Sequence, residues 1–228
     1  MQVDKNNVWV VIPAFNEAYK IGEVLRHVQD CFKSVVLVDD CSSDGTALVA
    51  KSMGVVVVKH PINLGQGAAL QTGFDYAVAA GASWVVTFDA DGQHDIYDAE
   101  KMLEHAVSNN LDVCFGSRFL GSTIGMPTTR KFLLKGGLLF QKLTSGAKLS
   151  DTHNGLRIIR AKVLSTVHLR QNRMAHASEI VERVVRGGFV YDEYPMTVRY
   201  SEYTLAKGQS SFGAINIIAD WLLEKIFR

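Results

Sequence analysis

The sequence lacks paired cysteines and an excess of charge, and each absence excludes a class of protein. Its 228 residues include 3 Cys, and 24 Lys and Arg stand against 23 Asp and Glu, for a net charge of +1. The cysteines are far apart and form no Cys-x-x-Cys pair, so we expect a reducing cytosol rather than a disulfide framework or a structural zinc site. The small net charge offers no broad electrostatic attraction for nucleic acid, which is not an expected partner.

Long hydrophobic runs, low-complexity segments and internal repeats are also absent. No apolar stretch approaches the roughly 18 residues that span a bilayer, and the polar residues 1–7 do not resemble a signal peptide. With 47% hydrophobic residues, the chain has enough apolar side chains for an ordinary globular core. We therefore expect one soluble domain over residues 1–228.

Residues 1–116 alternate β-branched runs with helical periodicity. We predict strands at 8–12, 35–38, 55–58 and 84–88, and helices at 17–31, 46–53 and 67–80. This alternation predicts an α/β fold with a mostly parallel sheet flanked by helices. Ligands of such sheets bind beyond the carboxyl ends of the strands, so the residues after each strand are the candidates for a site.

The second half of the predicted domain is less regular. We predict strands at 112–116, 155–159, 190–193 and 197–200, and helices at 128–144, 175–186 and 212–228. The polar stretch 201–211 is expected to be a loop that closes over a bound ligand, with Lys207 supplying a positive charge.

Carboxylates follow three of the predicted strands in the first half. Glu17 follows the first strand, Asp39 and Asp40 follow the second, and Asp89 and Asp91 follow the fourth. Together they would repel one another unless a cation lay between them. Two carboxylates two residues apart at a strand end suit Mg²⁺ or Mn²⁺, whose other ligands are water and substrate phosphates. The alternative is that Asp-x-Asp-Gly is only a turn and helix cap.

Six segments, taken in order, resemble one known family. They are VVIPAFNEA (10–18), VLVDDCSSDGT (36–46), NLGQGAAL (63–70), TFDADGQH (87–94), FGSRF (115–119) and DTHNGLRIIR (151–160). The sequence resembles the family 2 glycosyltransferases with the GT-A fold, and among them the polyprenyl-phosphate sugar transferases of the dolichyl-phosphate mannose synthase type. The resemblance implies a nucleotide-sugar-binding half at 1–116 and a smaller acceptor-side region at 117–228.

The resemblance also implies roles for individual residues. Those that would contact the nucleotide or its sugar are Pro13, Phe15, Glu17, Asp39 or Asp40, Asp89 and Ala90. Those around a Mg²⁺ or Mn²⁺ ion would be Asp89, Asp91 and Gln93, and the cations for phosphate would be Arg118 and Arg130. The implied reaction is attack on the anomeric carbon of a nucleoside-diphosphate sugar with inversion, the metal offsetting charge on the leaving diphosphate.

Departures from the family pattern leave the acceptor open between a polyprenyl phosphate and a hydroxyl of a lipid-linked saccharide. Arg130 is followed four residues later by Leu134 where serine is common. A hydroxyl acceptor would need a general base, for which Glu179 and Asp151 are candidates. Arg157 could bind a phosphate or pair with Asp151. The sequence favours His153 and His176 as polar pocket walls or surface residues rather than ligands.

A lipid-linked acceptor implies contact with a membrane. Basic and apolar residues alternate in 130–148, and the predicted helix 212–228 is amphipathic, which predicts peripheral binding to the inner face of the cell membrane. A separate small membrane-anchor protein or a homodimer could cover the same surface instead. The alternative functions are a sugar-1-phosphate nucleotidylyltransferase, whose usual glycine-rich loop is absent from residues 13–18, and a non-catalytic nucleotide-sugar scaffold.

Overall fold

The computed structural model describes residues 5–128 and 148–207. Its strands are β1 (Val8–Ala14), β2 (Ser34–Asp39), β3 (Val56–Lys59), β4 (Trp84–Thr87), β5 (Val113–Ile124), β6 (Arg157–Arg160) and β7 (Tyr191–Arg199). A 3-10 turn (Lys5–Asn7) precedes the helices α1 (Ala18–Cys31), α2 (Thr46–Ser52), α3 (Gln66–Ala79), α4 (Ile96–Ser108), α5 (Ala161–Leu164), α6 (His176–Arg186) and α7 (Glu202–Lys207). The α/β class predicted from the sequence is confirmed.

Within these ranges the strands form one sheet in the order β3-β2-β1-β4-β6-β5-β7. The four strands β3, β2, β1 and β4 pair in parallel, and β5 pairs in parallel with β7. Only β6 runs the other way, antiparallel to both β4 and β5. The first residue of β6 therefore lies at the same edge of the sheet as the last residues of β4.

Apolar cores cover both faces of the sheet. In β1, Val8, Val10 and Ile12 pack with α1 and α4, whereas Val11 packs with α3 and α6 on the other face. Every residue of β1 except Trp9 is buried, as expected for a central parallel strand with helices on both sides. With the cores filled, the polar residues after the strands are left at the carboxyl edge.

Two of the elements that differ from the prediction are α4 and β7. The helix α4 was not predicted, although Asp95 stands at its N-cap and accepts a hydrogen bond from the backbone N–H of Tyr97 at 3.1 Å. The two short strands predicted near the C-terminus are one strand, β7, which continues through Pro195. Proline is tolerated there because β7 is an edge strand and the register with β5 shifts after the Ser117–Pro195 pair.

Several predictions concern residues outside those described. Most of the predicted helix 128–144, Arg130, the helix 212–228 and the end of the loop 201–211 lie there. The start of that loop is helical, as α7. Over the described residues, no helix has the length and apolar character needed to cross a bilayer. The division into halves at residue 116 stays a prediction, and β5 runs across it.

Candidate active site

A cleft of about 340 Å³ opens at the carboxyl edge of the sheet. It is lined by residues that follow β1, β2 and β4 and by residues near β5, β6 and the start of α6. The predicted site residues that line it are Pro13, Phe15, Glu17, Asp40, Asp89, Ala90, Asp91, Gln93, Arg118 and Arg157. The sequence motifs therefore meet in one place, as expected for ligand binding at this edge.

The loops after β1 and β2 are tied together by Asn16. Its φ angle is 54°, and its backbone N–H donates to Ser42 Oγ at 2.9 Å. In return the Asn16 side-chain oxygen accepts from the backbone N–H of Ser43 at 2.9 Å. Asparagine is one of the few residues that adopt this left-handed conformation readily. These bonds fix the position of the neighbouring Glu17 in the cleft wall.

Asp39 and Asp40 have different surroundings. The Asp40 carboxylate accepts from the backbone N–H groups of Leu64 (2.9 Å) and Gly65 (2.7 Å) and contacts His60 Nδ1 at 2.8 Å. It is engaged in holding the loop before α3, although it also lines the cleft. Asp39 Oδ2 is buried without a hydrogen bond, with Lys59 Nζ 3.6 Å away. Asp39 is not among the residues that line the cleft.

Asp89 and Asp91 follow β4 and share the acidic side of the cleft. Asp89 accepts from Gln66 Nε2 at 3.1 Å and pairs with His94 Nε2 at 3.1 Å. Burial alone would raise the pKa of Asp89, but the hydrogen bond and charge of His94, with the charge of Arg157, lower it. Burial and the neighbouring Asp89 raise the pKa of Asp91 to about 6. The two carboxylates thus lie close enough to repel each other.

The acidic pair fits a divalent cation whose other ligands come from the substrate. Across residues 5–128 and 148–207, no group of three or more His, Cys, Asp or Glu side chains forms a metal site by itself. Mg²⁺ commonly takes only one or two protein carboxylates and completes its shell with water and phosphate oxygens. Burial and the charge of Asp89 both raise the pKa of Asp91, and a cation between the two carboxylates would offset both effects. Gln93 lines the same part of the cleft, and its backbone N–H donates to Asp91 Oδ1 at 3.0 Å.

Arg118, on β5, also lines the cleft, and each of its three side-chain nitrogens donates to a protein oxygen. Its Nε donates to Asp151 Oδ2 at 2.6 Å, and its terminal nitrogens donate to Tyr200 Oη at 2.8 Å and to the His153 carbonyl at 3.1 Å. Burial lowers the pKa of Arg118, but Asp151 and Tyr200 more than offset this, so the net shift is upward. Asp151 is therefore the buried partner of Arg118, and it does not line the cleft.

Arg157 is the opposite case. Its side chain is 2% exposed, yet within the described residues it makes no hydrogen bond or ion pair, and its Nε is sealed from solvent without a partner. It is the first residue of β6 and pairs with Thr87 at the end of β4, which places it beside the acidic pair. Burial lowers the pKa of Arg157 to about 10, so it remains charged at neutral pH. Of its two predicted alternatives, the pairing with Asp151 is not formed.

The two histidines near Arg157 line the cleft rather than the outer surface. His176 Nδ1 lies 2.7 Å from the Arg173 carbonyl, and burial together with Arg157 lowers its pKa to about 4. The pKa of His153 is also lowered, mainly by burial. Both imidazoles are therefore neutral at physiological pH. From the sequence, both histidines were expected to be pocket walls or surface residues rather than ligands. No motif spacing connects them with the acidic residues.

The structure does not bring Glu179 to the cleft. Its carboxylate accepts from the backbone N–H groups of Arg170 (3.0 Å) and Gln171 (2.8 Å) and from Arg183 Nε at 2.8 Å. It lines a separate cavity of about 520 Å³ beside the second half of α6. Glu179 was a candidate general base on the sequence alone, and the structure places its carboxylate outside the cleft.

The helix α7 borders the cleft and lies within the stretch 201–211, which was expected from the sequence to close over a bound ligand. Tyr203 and Thr204 were not among the residues named for that role. Thr204 lines the cleft, and Tyr203 Oη donates to Glu17 Oε2 at 2.8 Å. Ser201 and Thr204 exchange hydrogen bonds between side chains and backbone N–H groups at 2.9 and 3.3 Å, an N-terminal capping arrangement. The Ser-x-x-Thr spacing could have identified this helix start. Of Lys207, only the backbone is described.

Comparisons with known proteins agree with this geometry. The sequence model of Glycosyl transferase family 2 matches residues 9–167. The chain is 28% identical over 241 residues to a UDP-N-acetylglucosamine--dolichyl-phosphate N-acetylglucosaminyltransferase of Methanococcus voltae, covering 96% of each chain. It is 28% identical over 227 residues to a polyprenol monophosphomannose synthase of Mycolicibacterium smegmatis, covering 93% of this chain and 85% of the relative.

A solved structure shows the same fold at low sequence identity. Glucosyl-3-phosphoglycerate synthase from Mycobacterium tuberculosis, in complex with Mn²⁺, UDP-glucose and phosphoglyceric acid, aligns with a TM-score of 0.75 and 17% identity, covering 95% of this chain and 79% of that one. The seven-stranded, mostly parallel sheet flanked by helices is therefore a GT-A fold. Family match and fold together identify the chain as a member of glycosyltransferase family 2, an enzyme that transfers glycosyl groups.

Proposed function

We propose that this enzyme transfers a sugar from a nucleoside-diphosphate sugar to a polyprenyl phosphate, with inversion at the anomeric carbon and with the help of a divalent metal ion. Family membership and the names of the two relatives support glycosyl transfer to a polyprenyl-linked acceptor. They also favour a transferase over the nucleotidylyltransferase and scaffold alternatives.

The observation that carries the proposal is the unpartnered guanidinium of Arg157 beside the acidic pair. A buried cation without hydrogen bonds is costly unless a ligand supplies them. The same cleft holds Asp89 and Asp91, whose mutual repulsion favours a cation. A diphosphate carrying Mg²⁺ or Mn²⁺ satisfies both requirements at once, because its oxygens accept from Arg157 while its metal faces the carboxylates.

In this proposal, the protein residues bind and orient the donor. Asp89 and Asp91, with Gln93, would hold the metal, which when bound supplies Lewis-acid stabilisation of charge on the leaving diphosphate. Arg157 donates to the diphosphate oxygens, and the residues Pro13, Phe15, Glu17, Asp40 and Ala90 contribute to the nucleotide pocket. An oxygen of the acceptor phosphate forms the new bond to the anomeric carbon as the bond from that carbon to the diphosphate oxygen breaks.

A phosphate acceptor is favoured over a hydroxyl because its oxygen is already an anion and needs no general base. Neither carboxylate suggested as a base lines the cleft. Glu179 lines a different cavity, and Asp151 is buried against Arg118. Arg130 and Lys207 remain proposed phosphate ligands on the basis of the sequence. Their side chains lie outside the described part of the chain.

We further propose that the enzyme works at the inner, cytoplasmic face of the cell membrane, where a polyprenyl phosphate presents its headgroup. The segments 130–148 and 212–228 are the proposed contacts, either with the lipid or with a small membrane-anchor protein or a second copy of the chain. Sedimentation with anionic vesicles at low and high salt tests direct binding, which should weaken as salt rises. Salt-independent binding would contradict this electrostatic contribution.

The donor can be tested by thermal shift with UDP, GDP, TDP and CDP, each with and without Mn²⁺. A ligand at 100 times its Kd stabilises a protein by about 2.7 kcal/mol, and we expect one base to give this shift only when metal is present. Incubation of the matching nucleotide sugar with a polyprenyl phosphate should then release nucleoside diphosphate. If no nucleotide stabilises the protein, or if sugar transfer continues in excess chelator, the proposal fails.

A further inference from the structure

The imidazole of His176 is held in one tautomer by the backbone. Its Nδ1 lies 2.7 Å from the Arg173 carbonyl oxygen, which can only accept, so Nδ1 must carry the proton and donate. With the ring neutral, Nε2 then bears a lone pair and acts only as an acceptor. The acceptor character of Nε2 thus follows from a backbone contact and requires no ligand.

His176 Nε2 faces the cleft without a partner. Within residues 5–128 and 148–207 it makes no hydrogen bond. The side-chain atoms sealed from solvent without a partner belong to Asp39, His94, Arg157 and Arg160. Nε2 is not among them, and His176 lines the cleft, so the free lone pair is open to a bound molecule.

The close packing of α3 against α6 also fixes the position of the His176 ring. A Cβ atom on Gly67, in the first turn of α3, would lie 2.9 Å from His176 Cβ and 1.9 Å from the Gln171 carbonyl. The glycine therefore permits the close approach of α3 to α6. Packing and the Nδ1 bond together hold the ring at the inner end of the cleft, close enough to Arg157 and Asp89 for their charges to act on it.

We propose that His176 Nε2 accepts a hydrogen bond from one hydroxyl group of the sugar being transferred, and that this bond helps to select the sugar. The inference rests on the proposed function, because it places the donor diphosphate between Arg157 and the acidic pair. The sugar attached to that diphosphate then lies within the same cleft. The hydroxyls of that sugar can each donate a proton to a neutral acceptor.

Hydrogen-bond acceptance accounts for this environment better than general-base catalysis does. Burial and Arg157 disfavour the protonated ring, which lowers the pKa of His176 to about 4. A base this weak is poorly matched to proton removal near neutral pH. As a fixed, neutral acceptor, the ring instead leaves a buried lone pair unsatisfied whenever the expected hydroxyl is missing, which penalises the wrong sugar.

The test compares hydroxyl recognition by the wild-type enzyme and by His176→Leu and His176→Gln. The parent donor is whichever of UDP-glucose, UDP-N-acetylglucosamine and GDP-mannose the enzyme uses, and it is compared with its monodeoxy forms. We expect the wild type to use one monodeoxy donor about 10-fold less efficiently in kcat/KM. His176→Leu should lose that single preference and keep the others, and His176→Gln, which retains an acceptor, should recover part of it.

Two controls separate this inference from the proposed function. His105 lies on α4, outside the cleft, and contacts Asp192 on β7. His105→Leu should therefore leave the preferences among the deoxy donors unchanged. Stabilisation by the nucleoside diphosphate with Mn²⁺ should be the same in all variants. If the diphosphate binds but His176→Leu discriminates among the deoxy donors as the wild type does, the inference alone is overturned. If no diphosphate binds the wild type, both proposals fall.

Discussion

The two walls of the cleft carry opposite charges and are satisfied to different degrees. The acidic wall, with Asp89 and Asp91, comes from loops after parallel strands. The basic wall comes from β5 and β6, and its two arginines are both nearly buried. Arg118 is bound on three nitrogens by the protein, whereas Arg157 is bound on none within the described residues. Because both arginines are buried, burial alone does not indicate a ligand. The absence of hydrogen bonds to Arg157 within the described residues does.

The largest expected effect breaks the acidic wall. Asp91→Asn removes one of the two charges proposed to hold the metal, and we expect sugar transfer to fall by about 1,000-fold. The melting temperature without metal should stay equal or rise. The raised pKa of Asp91 means that the fold disfavours the ionised form, and the variant removes that charge. Transfer rates and thermal melts, both with Mn²⁺ titrations, measure the two effects.

Asp95→Asn is the matched control for that substitution. Asp95 lies four residues further along and caps α4, and asparagine caps helices equally well. Its activity and stability should match the wild type. Transfer by Asp91→Asn at more than a tenth of the wild-type rate would contradict the metal assignment.

Substitution of Arg118 should show that it is a structural residue. Arg118→Met leaves the carboxylate of Asp151 buried without its ion-pair partner, and the pair is closely bonded at 2.6 Å. Breaking such a pair costs about 3–5 kcal/mol, so the free energy of unfolding should fall by that amount. Urea denaturation provides the measurement. A change below about 1 kcal/mol would show that the Arg118–Asp151 pair does not hold this wall.

The same substitution at Arg157 should have the reverse outcome. Arg157→Met removes a buried cation that makes no hydrogen bond within the described residues, so the free energy of unfolding should either rise or fall no more than about 1 kcal/mol below the wild-type value. Transfer should fall by about 100-fold, or about 2.7 kcal/mol, because a charged donor to the diphosphate is missing. Nucleotide binding and turnover are measured beside the urea curve. Stability loss equal to that of Arg118→Met would make Arg157 structural and remove the main support for the proposed function.

The acidic wall could be predicted from sequence because its residues follow strands with strong local signals. Buried parallel strands are continuous runs of β-branched residues, so their ends, and the carboxylates after them, are visible without a structure. The helix α4 was also predictable from its own sequence, because Asp95 provides an N-cap signal at its start.

The basic wall depends on a contact that no local pattern specifies. The four-residue strand β6 inserts between β4 and β5 in the antiparallel direction, and that choice places Arg157 beside Thr87 and hence beside the acidic pair. The arginines themselves were candidates, but their partners were not decided. The packing of β5, β6 and α6 decides which arginine pairs with Asp151 and places His176 in the cleft. These elements are separate in the sequence, so no local pattern shows the contacts.

The smallest expected effect is that of Glu179, which lies outside both walls of the cleft. Glu179→Gln keeps the size of the side chain and one acceptor oxygen but weakens its bonds to Arg183 and to the backbone of Arg170 and Gln171. We expect a loss of about 1 kcal/mol in stability and no change in kcat, because the carboxylate lines the second cavity. A fall in kcat without loss of stability would instead make Glu179 part of the reaction. The Glu179 carboxylate would then have to reach the cleft, and the phosphate acceptor would lose its advantage over a hydroxyl that needs a base.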